Sequence, residues 1–296
     1  MDRSSGDGEP RHRRVRGDGV ELHCVEAGEG PPVVLLHGFP EFWYSWRHQL
    51  RRLTEAGFRV LAPDQRGYHL SEKPEAVEAY RIDRLVADVA VLIEREAGGR
   101  ACLAGHDWGG AVAWEVALRR PDVVERLAIL NAPHPGAYAR EVRRPRQLLR
   151  SWYVLFFQLP WLPEAAIRAF DYAVLGRILR GTARPGAFTD DDVAAYKAAL
   201  DRPGALTAAL NWYRANLPPA RHGVVSRGRA SGRVEAPTLV LWGERDPWLD
   251  VRLLEGLDRR VPDLRVRRWP DAGHWLQAEA PEEVGRALAA FFAGGE

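Results

Sequence analysis

Short apolar runs alternate with longer segments of helical spacing along most of this chain. The run from Val33 to His37 reads as a strand covered on both faces of a sheet. Trp46 to Ala56 predicts a helix, and Phe58 to Ala62 another short strand. Ile82 to Ala97 places Leu85, Val89, Leu92 and Ile93 at the spacing of one helical face. Ala101 to Ala104 suits a buried strand, Ala111 to Arg119 a helix, and Leu127 to Leu130 a further strand. Ahead of them, Val15 to Glu26 alternates around Gly17-Asp18-Gly19 and predicts a β-hairpin.

Regular alternation stops after Asn131-Ala132-Pro133-His134-Pro135, and from about 136 to 234 the pattern is helical with no convincing strand. Thr189 and Asp192 have the spacing of a capping box, and Pro203 suits the first residue of a helix running towards Ala215. Alternation resumes with Thr238 to Trp242, Leu253 to Leu257 and Leu264 to Val266, then a last helix from Pro281 to Phe292. The fold expected is α/β: a mostly parallel sheet with helices on both faces, interrupted by a helical cap. Its parts would be a first core segment, 1–135 with a disordered tail over about 1–10, a cap over 136–234, and a second core segment, 235–296.

Composition narrows the class. A hydrophobic fraction of 46% with 28% charged residues is that of an ordinary soluble globular protein. A formal net charge of +2 is too small to imply nucleic acid as a partner, and Arg11, Arg13, Arg14 and Arg16 form only a local basic cluster, read as part of a solvated tail. Cys24 and Cys102 lie in strand-like contexts and read as reduced core thiols. No signal peptide is visible, and no stretch reaches the roughly 18 apolar residues of a membrane span, so a cytoplasmic protein is expected.

The chemistry centres on Gly105-His106-Asp107-Trp108-Gly109, between the predicted strand and helix. A strand turning this sharply into a helix crowds the residues two before and two after the apex, where glycine removes the colliding side chains. The apex of such a nucleophile elbow is here Asp107, not serine. A carboxylate alkylated by a saturated carbon becomes an ester that water can cleave, whereas an alkylated serine would become an inert ether. The plainer alternative is an aspartate that only caps the helix.

His274, in a glycine-containing loop between the last strand and the last helix, is the candidate base. Asp246, just past a buried strand, is its candidate orienting acid, with Glu244 and Asp250 as nearby rivals. The order Asp107, Asp246, His274 is nucleophile, acid, base. His37-Gly38-Phe39-Pro40 ends another strand, so the Phe39 N–H with the Trp108 N–H would form an oxyanion hole; a plain strand-ending turn is the alternative.

These stretches, HGFPEFWYSWRHQ (37–49), DQRGY (64–68), GHDWGG (105–110), LNAPHP (130–135), NWYRA (211–215) and DAGHW (271–275), resemble the α/β-hydrolase fold, and within it the soluble epoxide hydrolases. They span most of the chain, although the HGxP turn and the Asp-type elbow are shared with haloalkane dehalogenases. The resemblance implies two cap tyrosines that act as acids on the epoxide oxygen, and Tyr153 and Tyr213 match them. Two packing tyrosines would be the dull alternative. Asn131 holds a place where some dehalogenases carry their triad acid, and it cannot be an anion. Fluoroacetate dehalogenases carry arginines where this chain has Trp108 and Ala111. The chain departs from the family at His69, where glycine is usual.

The activity expected is conversion of a small apolar epoxide to a vicinal diol through an ester of Asp107. Phe39, Trp108, Trp152, Phe156, Trp212 and Trp275 are the candidate substrate-lining residues. No Cys/His cluster in the sequence suggests a metal or a cofactor. A haloalkane dehalogenase, a carboxylesterase and a non-catalytic ligand-binding relative are the competing readings. Monomer and homodimer both remain open, as does the order of the basic stretch 221–233.

Overall fold

The computed structural model describes residues 10–217 and 232–295. Eight strands form one sheet in the order β1-β2-β4-β3-β5-β6-β7-β8: β1 Arg11–Arg16, β2 Glu21–Ala27, β3 Pro32–Leu36, β4 Arg59–Pro63, β5 Ala101–His106, β6 Val124–Leu130, β7 Thr238–Gly243 and β8 Leu264–Trp269. The first two strands are the expected hairpin and join antiparallel to β4, while β3 to β8 run parallel; the basic cluster 11–16 is thus strand β1 paired to β2 and not a solvated tail. Parallel strands buried on both faces explain the continuous apolar runs.

Alternate residues of those runs face two separate cores. Val34, Leu36, Leu103, Ile129 and Val240 pack with α2 (Ile82–Glu96) and α3 (Trp108–Arg119). Val33, Leu35, Ala104, Ala128, Leu130 and Leu241 pack with α1 (Arg47–Glu55) and with the last helix, Pro281–Phe292. The period of two along each strand thus assigns helices to both sides of the sheet.

Between β6 and β7 the described residues are helical: α4 Pro135–Glu141, α5 Pro145–Arg150, α6 Trp152–Phe156, α7 Leu162–Thr182, α8 Asp190–Leu200 and α9 Ala205–Asn216. The Thr189–Asp192 capping box forms in full at the start of α8. α7 is broken at Ala169–Tyr172, where Phe170, Asp171 and Tyr172 take positive φ. Two local expectations need correction. Pro203 is not the first residue of α9, which begins at Ala205 after Gly204, a residue whose φ of 78° glycine alone adopts freely. Leu253 to Leu257 yields only a 3₁₀ turn, Val251–Leu254, because Asp250 caps it and Glu255 is already extended. The tail 1–9 and most of the basic stretch 221–233 lie outside the described residues.

The carboxyl ends of β3, β5, β6, β7 and β8 lie along one edge of the sheet and lead to Phe39, Asp107, Asn131, Asp246 and His274. Open α/β sheets place their sites at that edge.

Candidate active site

The turn from β5 into α3 is as tight as its glycines require. A Cβ on Gly105 would stand 2.3 Å from the Gly109 carbonyl oxygen, and one on Gly109 would stand 2.2 Å from that of Leu36. At the apex Asp107 has φ 50° and ψ −120°, outside the ordinary regions for a residue with a side chain. Asp107 occupies the N-cap place of α3, yet its side chain makes no capping hydrogen bond. Its Oδ1 accepts instead from the Phe39 N–H at 2.9 Å. The helix-capping alternative is therefore set aside. Gly38 is required here as well, since a Cβ would press on the Asp107 side chain at 2.5 Å. The Trp108 N–H opens α3, among the first-turn amides that have no partner within the helix.

His274 stands beside Asp107. Its Nε2 is 3.6 Å from Asp107 Oδ2, and its Nδ1–H donates to Asp246 Oδ2 at 2.6 Å. Asp246 is buried but fully engaged: Oδ1 accepts from the Trp248 and Leu249 amides, and Oδ2 also accepts from Asn131 Nδ2 at 2.8 Å. Burial works against its charge, but His274 beside it and these donors outweigh that and hold its carboxyl below the usual range. Burial likewise disfavours the His274 imidazolium, but Asp246, then Asp107 and Glu41, overcome this and lift its pKa to about 9. The rivals are occupied elsewhere, Glu244 with Arg268 and Asp250 with Arg146 and the Arg252 amide.

The connections that three residues, His106, Glu41 and Asn131, make behind these groups escape sequence reading. His106 directs Nδ1 to Glu41 Oε2 at 2.8 Å and Nε2 to the His274 carbonyl oxygen at 2.9 Å. Glu41 also accepts from the Gly38 amide and from Gln277. Asn131, at φ 38°, accepts from the Gly243 N–H through its Oδ1 while donating to Asp246. The HGFPE and GHDWG stretches held Glu41 and His106 in plain view, but only the fold makes them partners.

Tyr153 of α6 and Tyr213 of α9 have ring centroids 5.9 Å apart, and both feel the charge of Asp107. Burial first, then the neighbouring Tyr138 and Asp107 for one and Asp107 and Tyr153 for the other, raises both phenols well above their ordinary value, so both remain protonated donors. The Trp108 indole stands edge-on to the Tyr213 ring, with centroids 5.1 Å apart. Phe39 and Phe157 also pack edge-on against Tyr213, at 5.4 and 5.0 Å, and Trp248 meets the His274 ring at 4.8 Å.

The expected lining changes accordingly. Phe39 and Trp108 stand next to Asp107. Trp152 is 64% exposed on the outer face of α6, and Phe156 lies between it and Phe157, the aromatic residue that does meet Tyr213. Trp212 is wholly buried and donates to the Arg66 carbonyl, so it anchors α9 to the loop after β4. Trp275 donates to Thr182 Oγ1 and packs behind the His274 ring. Aromatic content marked the right segments, but a one-residue step on a short helix turns a side chain from cleft to solvent.

Comparison with known proteins agrees with this geometry. The alpha/beta hydrolase fold family matches residues 31–281. The AB hydrolase superfamily protein YfhM of Bacillus subtilis is 43% identical over 93% of this chain and 95% of its own length. Epoxide hydrolase 4 of Homo sapiens is 37% identical over 94% of this chain and 77% of its own. Among solved structures, Epoxide Hydrolase A from Mycobacterium thermoresistibile superposes with a TM-score of 0.85 at 36% identity, covering 97% of this chain and 99% of that one. With the parallel sheet, the aspartate elbow and these relatives in hand, the chain belongs to the α/β-hydrolase fold family and, within it, to the epoxide hydrolases.

Proposed function

We propose that the protein hydrolyses apolar epoxides to vicinal diols through a covalent ester of Asp107, and that the helical segment from 136 to 234 is a cap over the sheet. One observation carries this: a strained aspartate that caps nothing, with the Phe39 N–H on one oxygen and His274 3.6 Å from the other. Asp107 attacks an epoxide carbon, and the C–O bond breaks onto the ring oxygen. Tyr153 and Tyr213 hydrogen-bond that oxygen and supply its proton. The phenol regains its proton from His274 or from solvent.

Esterification removes the charge on Asp107, one of the groups that hold His274 protonated, so the imidazole becomes a competent base at this stage. His274 then takes a proton from water as the water oxygen attacks the ester carbonyl carbon. The Phe39 and Trp108 amides receive the tetrahedral oxyanion. Collapse expels the diol alkoxide, which takes its proton from His274; the freed imidazole then accepts the proton of the new carboxyl group, and the Asp107 carboxylate is restored. Phe39, Trp108, Phe157 and Trp248 would line an apolar cleft that excludes all but the attacking water. A cytoplasmic location belongs to the same proposal; both cysteines are buried thiols, and no helix among the described residues is long and apolar enough to cross a membrane.

The test is intact-mass analysis of a His274→Gln variant after exposure to a styrene-type epoxide. Alkylation should proceed while hydrolysis stalls, adding the substrate mass to the peptide that carries Asp107. An unmodified protein, or full turnover by Asp107→Asn, would defeat the proposal.

A further inference from the structure

His69 is the residue that departs from the family pattern, and its backbone takes φ 40°, a conformation glycine would adopt without strain. Its ring compensates by reaching back to Asp64, with Nδ1 2.8 Å from Oδ2. The same oxygen receives His23 Nδ1 at 2.6 Å from the neighbouring strand β2. That approach follows from register: Cys24 of β2 pairs with Pro63 of β4, so His23 and Asp64 stand opposite each other just beyond it, with the Asp64 N–H donating to the His23 carbonyl. Two imidazole nitrogens thus converge on one carboxylate oxygen, and the three ligand-type atoms lie within 4.8 Å of one another.

We propose that His23, Asp64 and His69 form a binding site for a divalent transition metal ion of the zinc class, outside the catalytic set. The donors are those such an ion favours, two imidazoles and one carboxylate, with water to complete four-coordination. Ligand atoms around a tetrahedral zinc ion stand about 3.3 Å apart. Opening the present hydrogen bonds to that spacing needs shifts of well under about 1 Å. The ion takes the place of the two Nδ1 protons, which move to Nε2 or to solvent. Outer partners that fix the ligands are already in place. His23 Nε2 meets His12 Nδ1 at 2.9 Å, and Asp64 Oδ1 accepts from the Trp43 amide at 3.0 Å. His12 is exposed and His69 half-buried, which gives the ion a route from solvent to an otherwise buried carboxylate.

The bound ion would tie β1, β2 and the loop after β4 together, so its effect is on stability. That loop continues into Gln65, whose amide donates to His37 beside the proposed oxyanion turn. Sequence spacing hides the site, because His12, His23 and His69 belong to no local motif.

The test uses the full, tag-free chain, stripped with a chelator and titrated with zinc by calorimetry and with cobalt by absorption. One equivalent should bind with a micromolar or tighter Kd, cobalt should give the intense visible bands of a four-coordinate site, and zinc should raise Tm. His69→Gly removes a ligand while relieving the backbone, so it should fold yet bind at least about 100-fold more weakly and lose the zinc-dependent rise in Tm. His12→Gln should weaken binding by about 10-fold as an outer partner. Absence of stoichiometric binding, or equal binding by wild type and His69→Gly, would overturn the proposal.

Discussion

His106 Nε2 lies 2.9 Å from the main-chain carbonyl oxygen of His274, so the residue before Asp107 grips the loop that carries His274. Its other nitrogen is held by Glu41, which also fixes the Gly38 amide one residue before the proposed oxyanion donor. One buried carboxylate therefore sets the relative positions of three loops. Burial opposes its charge, but His106 beside it and the Gly38 amide hold the Glu41 carboxyl below its ordinary range.

Glu41→Gln is the substitution that exposes this dependence. It keeps the volume, but it sets an amide among donors that had faced a carboxylate. Leaving buried donors without the carboxylate they faced typically costs about 1–3 kcal/mol. Thermal denaturation should show a clear fall in Tm, and single-turnover kinetics a slower ester hydrolysis. An unchanged Tm together with unchanged turnover would mean that the three loops are held by something else.

Asn131 allows a sharper test of the acid. Its amide gives Asp246 Oδ2 a hydrogen bond and receives one from the Gly243 N–H. Asn131→Asp places a second carboxylate within 2.8 Å of the first in a buried site, where both cannot be ionised together. The proton they share weakens the hold on His274, so kcat at neutral pH should fall and recover in part at higher pH. A pH–rate profile identical to that of wild type would remove Asn131 from the positioning of Asp246.

The two tyrosines divide epoxide opening from every other use of an aspartate nucleophile. Removing one general acid typically costs about 10²–10⁴ in rate. Tyr153→Phe and Tyr213→Phe should each slow alkylation, measured as adduct formation in the His274→Gln background, and together abolish it. A haloalkane dehalogenase would behave differently, because a halide leaves without a proton. Halide release that survives the double substitution would favour that activity.

Much of this was legible in the chain because burial on both faces leaves a direct mark on strands β3, β5, β6 and β7. The elbow was legible for a related reason: only glycine tolerates a 2.3 Å approach at Gly105. What the sequence hid are contacts made across long separations. Glu41 and His106 are 65 residues apart, and Asn131 and Asp246 are 115 apart. The aromatic lining was misjudged at Trp152, Trp212 and Trp275 because composition carries no information on which face of a helix or loop meets the cleft. At Pro203, a residue suited to a helix start was overruled by a glycine one position later that turns the chain.

The pH dependence of stability follows from His274. Its pKa is raised in the folded protein from 6.5 to about 9, through Asp246 against the opposing effect of burial. A group raised on folding stabilises fully below its unfolded pKa and loses that contribution as pH rises through the folded value. The window therefore runs from about 6.5 to about 9, and the linkage over it amounts to roughly 3 kcal/mol. Glutamine at this position removes the titration while keeping a polar side chain. The difference in unfolding free energy between wild type and His274→Gln should accordingly shrink from about pH 6 to about pH 10. In the same range, hydrolysis of the ester formed by the wild type should reach its plateau below the free enzyme's pKa of about 9, because the neutral ester no longer supports the imidazolium. Denaturation curves across the series test the first statement and rapid-quench turnover the second. A stability difference that does not vary with pH would show that the His274 imidazolium is not held by the Asp246 carboxylate.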